Sequence, residues 1–328
     1  MTIKVSLLGL NRTGASIGLA LASMKEQLVR VGNDREHGIA RLAEKMGAID
    51  KLVVNLHAAV EDADIVILAL PVDQIQNTLE VIASDLKAGC VVVDTSPVKS
   101  GVAQWAREVL PAERYFISLT PSLSTTALLD DDNGVESARA DLFKDGLMLI
   151  TSPPGTDESA LNLANNLTKI LGATALYSDI AESDGLLAAT HLLPSLVSAA
   201  LINATTDQPG WREARKVASR SYASATEPAL HMLEETNLGQ AALMNAENTA
   251  RMIDAVIDEL GRLRDALIRK DSDQVEERLQ HAQEARRQWW VQRQKGDWEP
   301  RPDKDVKMPT GGEIFGRLFG FRPKKDKK

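Results

Sequence analysis

The chain has 328 residues, a formal net charge of −8, 44% hydrophobic and 26% charged residues. That balance belongs to a globular protein with room for two cores, and the acidic charge argues against general nucleic-acid binding. The single cysteine, Cys90, excludes an intrachain disulfide and, in the apolar run Cys90–Val93, fits a reducing, cytoplasmic setting. Neither a signal peptide nor an apolar run of membrane-spanning length is expected.

Near the start, Val5 to Leu8 is an apolar run that stops at Gly9. A polar turn follows, and then a helix-like sequence reaching Leu21. This is how a dinucleotide-binding crossover opens. Gly9 permits the sharp turn, Gly14 lets helix and strand pack closely, and the first helical N–H groups of Arg12 and Thr13 face a pyrophosphate. The usual middle glycine is Asn11. Because Asn tolerates left-handed backbone angles, the turn is expected to keep its shape with the Asn11 side chain projecting towards the ligand.

A second strand, Leu28 to Gly32, ends at Asn33-Asp34-Arg35. Asp34 is the candidate acceptor for the adenosine ribose hydroxyls, which favours NAD; Arg35 beside it can instead meet the 2′-phosphate of NADP. As plain structure, Asp34 is a turn residue. His37 to Met46 reads as a helix and Leu52 to Val54 as a short strand. Ala63 to Leu70 is a continuous apolar run, the pattern of a fully buried parallel strand, stopped at Pro71. A helix from Asp73 to Leu86 and a strand from Cys90 to Asp94 follow, the latter running into Thr95, Ser96 and Lys99. The alternation predicts a Rossmann-like doubly wound α/β sheet with Leu70, Pro71, Thr95 and Ser96 on its carboxyl edge beside the glycine turn.

Further on, Trp105–Leu110 reads as a helix, and Tyr115–Leu119 as a strand leading to Thr120-Pro121-Ser122. Asp130 to Gly134 reads as an exposed turn; without regular ligand spacing its aspartates predict no metal site. Leu147–Ile150 and Ala173–Tyr177 are the last strands, flanking a helix over 157–171. From Ala181 to about Trp290 the chain is rich in Ala, Leu and Glu with helical periodicity, broken near Pro209-Gly210, Pro228 and Asp271. The stripe Leu243, Ile253, Val256, Leu260, Leu263 and Leu267 reads as core or subunit interface. These shifts divide the chain into a dinucleotide-binding domain (1–178), a helical domain (179–295) and a disordered tail (296–328). The tail ends in an apolar-aromatic run with lysines, Ile314 to Lys328, suited to weak contact with a membrane surface or a protein partner.

Chemistry needs an acid or base and groups that hold substrate. The helical region offers Asp184 and, two turns on, His191, followed by the helix-bending Pro194. His191 lies in an apolar stretch and on spacing alone reads first as a buried, hydrogen-bonded core histidine.

Five motifs in order resemble the prephenate/arogenate dehydrogenase family of tyrosine biosynthesis: Gly9–Ser16, Ala63–Pro71, Asp94–Lys99, Gly134–Phe143 and Ala188–Pro194. The resemblance spans roughly residues 3 to 290. It implies a Rossmann domain followed by an all-helical dimerisation domain of the 6-phosphogluconate-dehydrogenase-like type, and hence a homodimer. It also implies NAD or NADP as cofactor, with NAD favoured, and oxidative decarboxylation of prephenate or arogenate. The family's catalytic histidine of a His-Pro pair is Thr120 here, whose hydroxyl can orient an alcohol but cannot serve as a comparable base. Its histidine-aspartate pair appears as Ser183-Asp184. Thr120, His191, Asp184 and Lys99 are therefore the catalytic candidates, and Ser122, His191 and Arg220 the substrate-binding ones, with His231 roughly at the place of the family's tryptophan. The competing expectation is a catalytically impaired nucleotide-binding or scaffold protein with the same fold. A relationship to 3-hydroxyacid dehydrogenases is disfavoured, because the helix after Asp184 carries no catalytic lysine ahead of Asn203.

Overall fold

The computed structural model describes residues 2–130, 134–230, 232 and 237–296. The first half alternates β1 (Ile3–Leu8), α1 (Arg12–Leu21), β2 (Leu28–Asn33), α2 (His37–Lys45), β3 (Lys51–Leu52), α3 (Leu56–Val60), β4 (Ile65–Leu68), α4 (Val72–Ile82), β5 (Val91–Asp94), α5 (Ser100–Val109) and β6 (Tyr115–Pro121). β7 (Leu147–Thr151), α6 (Glu158–Ile170) and β8 (Thr174–Tyr177) complete an eight-stranded sheet of order β3-β2-β1-β4-β5-β6-β7-β8. Every residue of β4 and β5 is buried, because helices cover both faces of the sheet and each face carries its own apolar cluster.

Three local readings change. The third strand shrinks to two residues, α3 follows it unannounced, and α5 begins at Ser100 rather than near Trp105. β7 runs antiparallel to β6. The intervening chain offers only a short 3₁₀ turn, Val135–Ser137, among its described residues, and a parallel return needs a longer crossover.

Past Tyr177 the described elements are all helical: α7 (Ile180–Leu187), α8 (Leu193–Thr206), α9 (Trp211–Ala214), α10 (Arg220–Thr226), α11 (Leu238–Met244), α12 (Ala246–Arg269) and α13 (Ser272–Lys295). α7 and α8 form one run, joined by a π-turn at Ala188–Leu192 just ahead of Pro194. Proline supplies no N–H to the helix ladder, and such a gap is absorbed by a wider turn.

The run Ile180–Thr206 is long and apolar enough, by length and composition, to cross a membrane, which corrects the sequence expectation. Here it docks on the sheet domain, with Asp184 and Leu192 buried against it. Of the apolar stripe along α11 and α12, Leu243, Leu260 and Leu267 are exposed; Ile257 and Ile268 beside them are exposed too. Ile253, Val256 and Leu263 are half-buried, so the stripe is not core. Asp131–Asn133, His231 and the tail beyond Gly296 lie outside the described residues.

Candidate active site

The β1–α1 turn is built by two close approaches. Gly9 has φ +89°, and a Cβ there would stand 2.1 Å from the Ala69 carbonyl oxygen; one on Gly14 would stand 2.1 Å from that of Gly9. Only glycine fits either place. Asn11 is extended (φ −62°, ψ −177°) and caps α1. Its Oδ1 accepts from the Gly14 N–H at 3.0 Å while Nδ2 donates to Ala69 O at 3.1 Å. The expected left-handed backbone and ligand-directed side chain are thus corrected: Asn11 stitches the loop to the end of β4 and stabilises the helix start as an N-cap.

Two adjoining hollows of about 530 and 580 Å³ lie over this turn, sharing Gly9, Asp34, Arg35 and Leu70 in their walls. Asn11 and Pro71 line the second. The carboxylate oxygens of Asp34 accept from Leu10 N at 2.6 Å and Glu36 N at 2.8 Å. A carboxylate oxygen has a second lone-pair direction, which leaves Asp34 able to receive ribose hydroxyls. Arg35 stands exposed beside it. Arg12 is buried in the first turn of α1 and pairs with Asp130 at 2.9 Å, tying the loop after β6 to the glycine turn. Thr13 is half-buried there, and Thr95 donates from both N and Oγ1 to Leu68 O, closing the carboxyl edge. A glycine turn, a helix N-terminus and an acidic residue at the end of β2 suit a dinucleotide.

Past this crevice, groups from β5, the turn after it, β6 and α7 converge on Lys99. Its Nζ donates to Ser96 O, to Ser118 Oγ at 2.6 Å and to Asp94 Oδ2 at 3.4 Å, and the side chain is fully buried. Burial pushes the ammonium pKa below its ordinary value, against the opposing pull of the Asp94 carboxylate. Ser118 and Ser96 hydroxyls also donate to Asp94 Oδ2, at 2.8 and 3.0 Å. Thr120, two residues along the same face of β6, donates to Ser96 O at a long 3.4 Å. Asp184 reaches over from α7, accepting from Lys99 N at 2.6 Å and Ser100 N at 2.9 Å. Its carboxylate is therefore the N-terminal cap of α5, supplied by the other half of the chain, and its own carbonyl is held by Asn245 Nδ2 at 2.7 Å. Lys99 and Asp184, with their polar atoms committed to protein partners, hold the site together from behind.

His191 lies in the π-turn and is open to solvent at one side. Crowding by protein on its other sides, and secondarily the Lys99 charge, push its pKa down to about 4, so the ring is neutral at pH 7. Ser122 accepts a hydrogen bond from Arg293 near the end of α13, which also donates to Leu123 O; Arg293 is 6% exposed. Sequence reasoning passed over Arg293, an ordinary-looking residue in a polar helix. It also passed over Ser118, although two hydroxyls at alternate positions of an apolar strand were the available signal. Arg220 opens α10, exposed, and makes no hydrogen bond or ion pair among the described residues. The structure does not bring it to the cluster.

Residues 17–177 match the family described as prephenate dehydrogenase, nucleotide-binding domain. Over 285 residues the chain is 24% identical to the cyclohexadienyl dehydrogenase of Zymomonas mobilis, covering 86% of this chain and 94% of that one. It is 28% identical over 240 residues to the prephenate dehydrogenase of Bacillus subtilis, 69% of this chain but 63% of the relative's length. The fold is that of the Aquifex aeolicus prephenate dehydrogenase solved with hydroxyphenyl propionate and NAD+ (TM-score 0.75, 19% identity, 88% of this chain and 98% of that one). It is likewise that of Synechocystis arogenate dehydrogenase (TM-score 0.68, 22% identity, 88% of this chain and 100% of that one). Residues 17–177 thus carry the nucleotide-binding domain of the prephenate dehydrogenase family, and the chain as a whole is similar to its members.

Proposed function

We propose that the protein is an NAD(P)-dependent oxidoreductase of the prephenate dehydrogenase type. It removes hydride from the carbinol of prephenate, arogenate or a close analogue, with loss of the ring carboxylate to give an aromatic product. The observation carrying this is the abutment of two sites on one sheet edge: the Gly9–Asp34 crevice and the cluster of Thr120, Ser96, Lys99 and His191. A bound nicotinamide ring would supply the hydride acceptor. Around it, Gly9, Asn11 and the first turn of α1 shape the phosphate end, Asp34 takes the ribose, and Thr120 orients the substrate oxygen. NAD is favoured over NADP by Asp34, with Arg35 as the residue that would reverse the preference.

The exposed apolar face of α11 and α12 is the natural seat of a second copy, making the enzyme a homodimer. The buried lone thiol of Cys90, pushed up to about 12 by burial, agrees with a cytoplasmic setting. The Ile314–Lys328 segment is assigned weak contact with a membrane surface or a protein partner.

The test is purified protein with NAD or NADP and prephenate or arogenate, followed by reduced-cofactor absorbance and by cofactor binding. Turnover supports the reading. Binding without turnover on either substrate favours the competing view, to which Thr120 points, of a nucleotide-binding protein that has lost the reaction. Failure to bind either cofactor defeats the enzyme reading.

A further inference from the structure

Thr120 leaves the expected reaction without a base on β6, since a threonine hydroxyl does not hold a proton at neutral pH. The π-turn holds a titratable ring, His191. Thr190 Oγ1 donates its single proton back along the helix to Leu186 O at 2.7 Å. The same oxygen lies 3.0 Å from His191 Nδ1. With its proton committed to Leu186, Thr190 can only accept from the ring, so Nδ1 carries the hydrogen. The lone pair of the neutral imidazole is then on Nε2.

We propose that Thr190 is a positioning residue which holds His191 in the Nδ1–H tautomer and so presents Nε2 as the proton acceptor for the substrate hydroxyl. The inference rests on the dehydrogenase reading. The oxygen–hydrogen bond of the carbinol breaks and its proton bonds to Nε2. With an oxidised nicotinamide bound, the carbon–hydrogen electron pair would leave to it as hydride and a carbon–oxygen double bond would form, while the bond pair released by loss of carbon dioxide would aromatise the ring, whose oxygen takes a proton. Thr120, only weakly engaged by Ser96 O at 3.4 Å, turns its own proton to the substrate oxygen and fixes its place. The groups around His191 agree with a neutral acceptor: the Lys99 ammonium faces it from the start of α5, and Asp184 on its own helix is engaged by the α5 backbone.

The experiment uses the full chain labelled with ¹⁵N at histidine, with the His191 signals identified by their loss in His191→Gln. Long-range proton–nitrogen spectra at pH 7.5 read the tautomer directly and need no substrate. Nδ1 is expected at a protonated, pyrrole-like shift and Nε2 at a pyridine-like one; the reverse pattern overturns the proposal. Thr190→Val, which keeps the shape and loses the acceptor, is expected to move the ring towards the Nε2–H form, and Thr190→Ser to keep it as in the parent. An unchanged tautomer in Thr190→Val refutes the role of Thr190. On a substrate that turns over, kcat falls about tenfold in Thr190→Val with cofactor KM unchanged, and Thr190→Ser restores it. Absence of turnover on every substrate counts against the dehydrogenase reading, while the spectra decide the tautomer separately.

Discussion

The crevice around Gly9 and the cluster around Lys99 share one edge of the sheet, yet they are held in different ways. The first is mainly backbone: a glycine turn, a helix start and an Asn11 cap whose ties reach 3 and 58 residues along the chain. The second is mainly side chains, fastened across 85 residues between Lys99 and Asp184 and across 171 between Ser122 and Arg293. A backbone site tolerates changes of side chain as long as its glycines remain. A side-chain site can exchange its chemistry, here Thr120 on β6, while the fold around it persists.

Breaking each kind should therefore give a different result. Gly9→Val sets a branched side chain against Ala69 O in a left-handed backbone, and it should abolish measurable cofactor binding and cost more than about 3 kcal/mol. Calorimetric titration and urea unfolding measure both. Lys99→Met keeps the bulk but removes the cation beside buried Asp94, so it should cost about 3–5 kcal/mol, read from the urea midpoint. Cofactor affinity is expected to fall much less than in Gly9→Val; equal losses would mean that the two regions are not separable. Thr120→His should change turnover by less than about threefold if His191 already takes the proton, whereas a gain of about 100-fold returns the base to β6.

The remaining effect is in pH. The folded pKa of His191 is depressed to about 4 from an ordinary 6.5, so the unfolded chain binds more protons between these values. The histidine's contribution to stability is complete above pH 6.5 and is lost as pH falls towards 4. In urea melts across that window, His191→Asn should decline less steeply than the parent; parallel slopes would disprove the shift.

The same contrast explains what the sequence made legible. Period and punctuation reveal most of the strands up to β6, their doubly wound arrangement and the change to helices near Ile180, because buried parallel strands are written as unbroken apolar runs. They miss the reversal of β7, which follows from the lack of a crossover helix in the chain before it. The turn at Gly9 was readable and the role of Asn11 was not, since one residue type both adopts left-handed angles and caps helices. Lys99 and Asp184 were legible as important, but their partners were not. An aspartate on one helix capping another 85 residues earlier leaves no local trace. By period alone the outward-facing leucines of α12 read as core or interface without a choice between them, because periodicity marks a face without saying what covers it.

Arg293 carries a consequence for how the protein is made. The strand end with Thr120 and Ser122 emerges from the ribosome early and pairs with its neighbours, but the guanidinium that grips Ser122 and Leu123 is synthesised 171 residues later. The sheet can thus form during translation while its reactive edge waits for the end of α13. A chain that stalls or is clipped before that point carries the fold of the first domain with the substrate side of β6 unfastened.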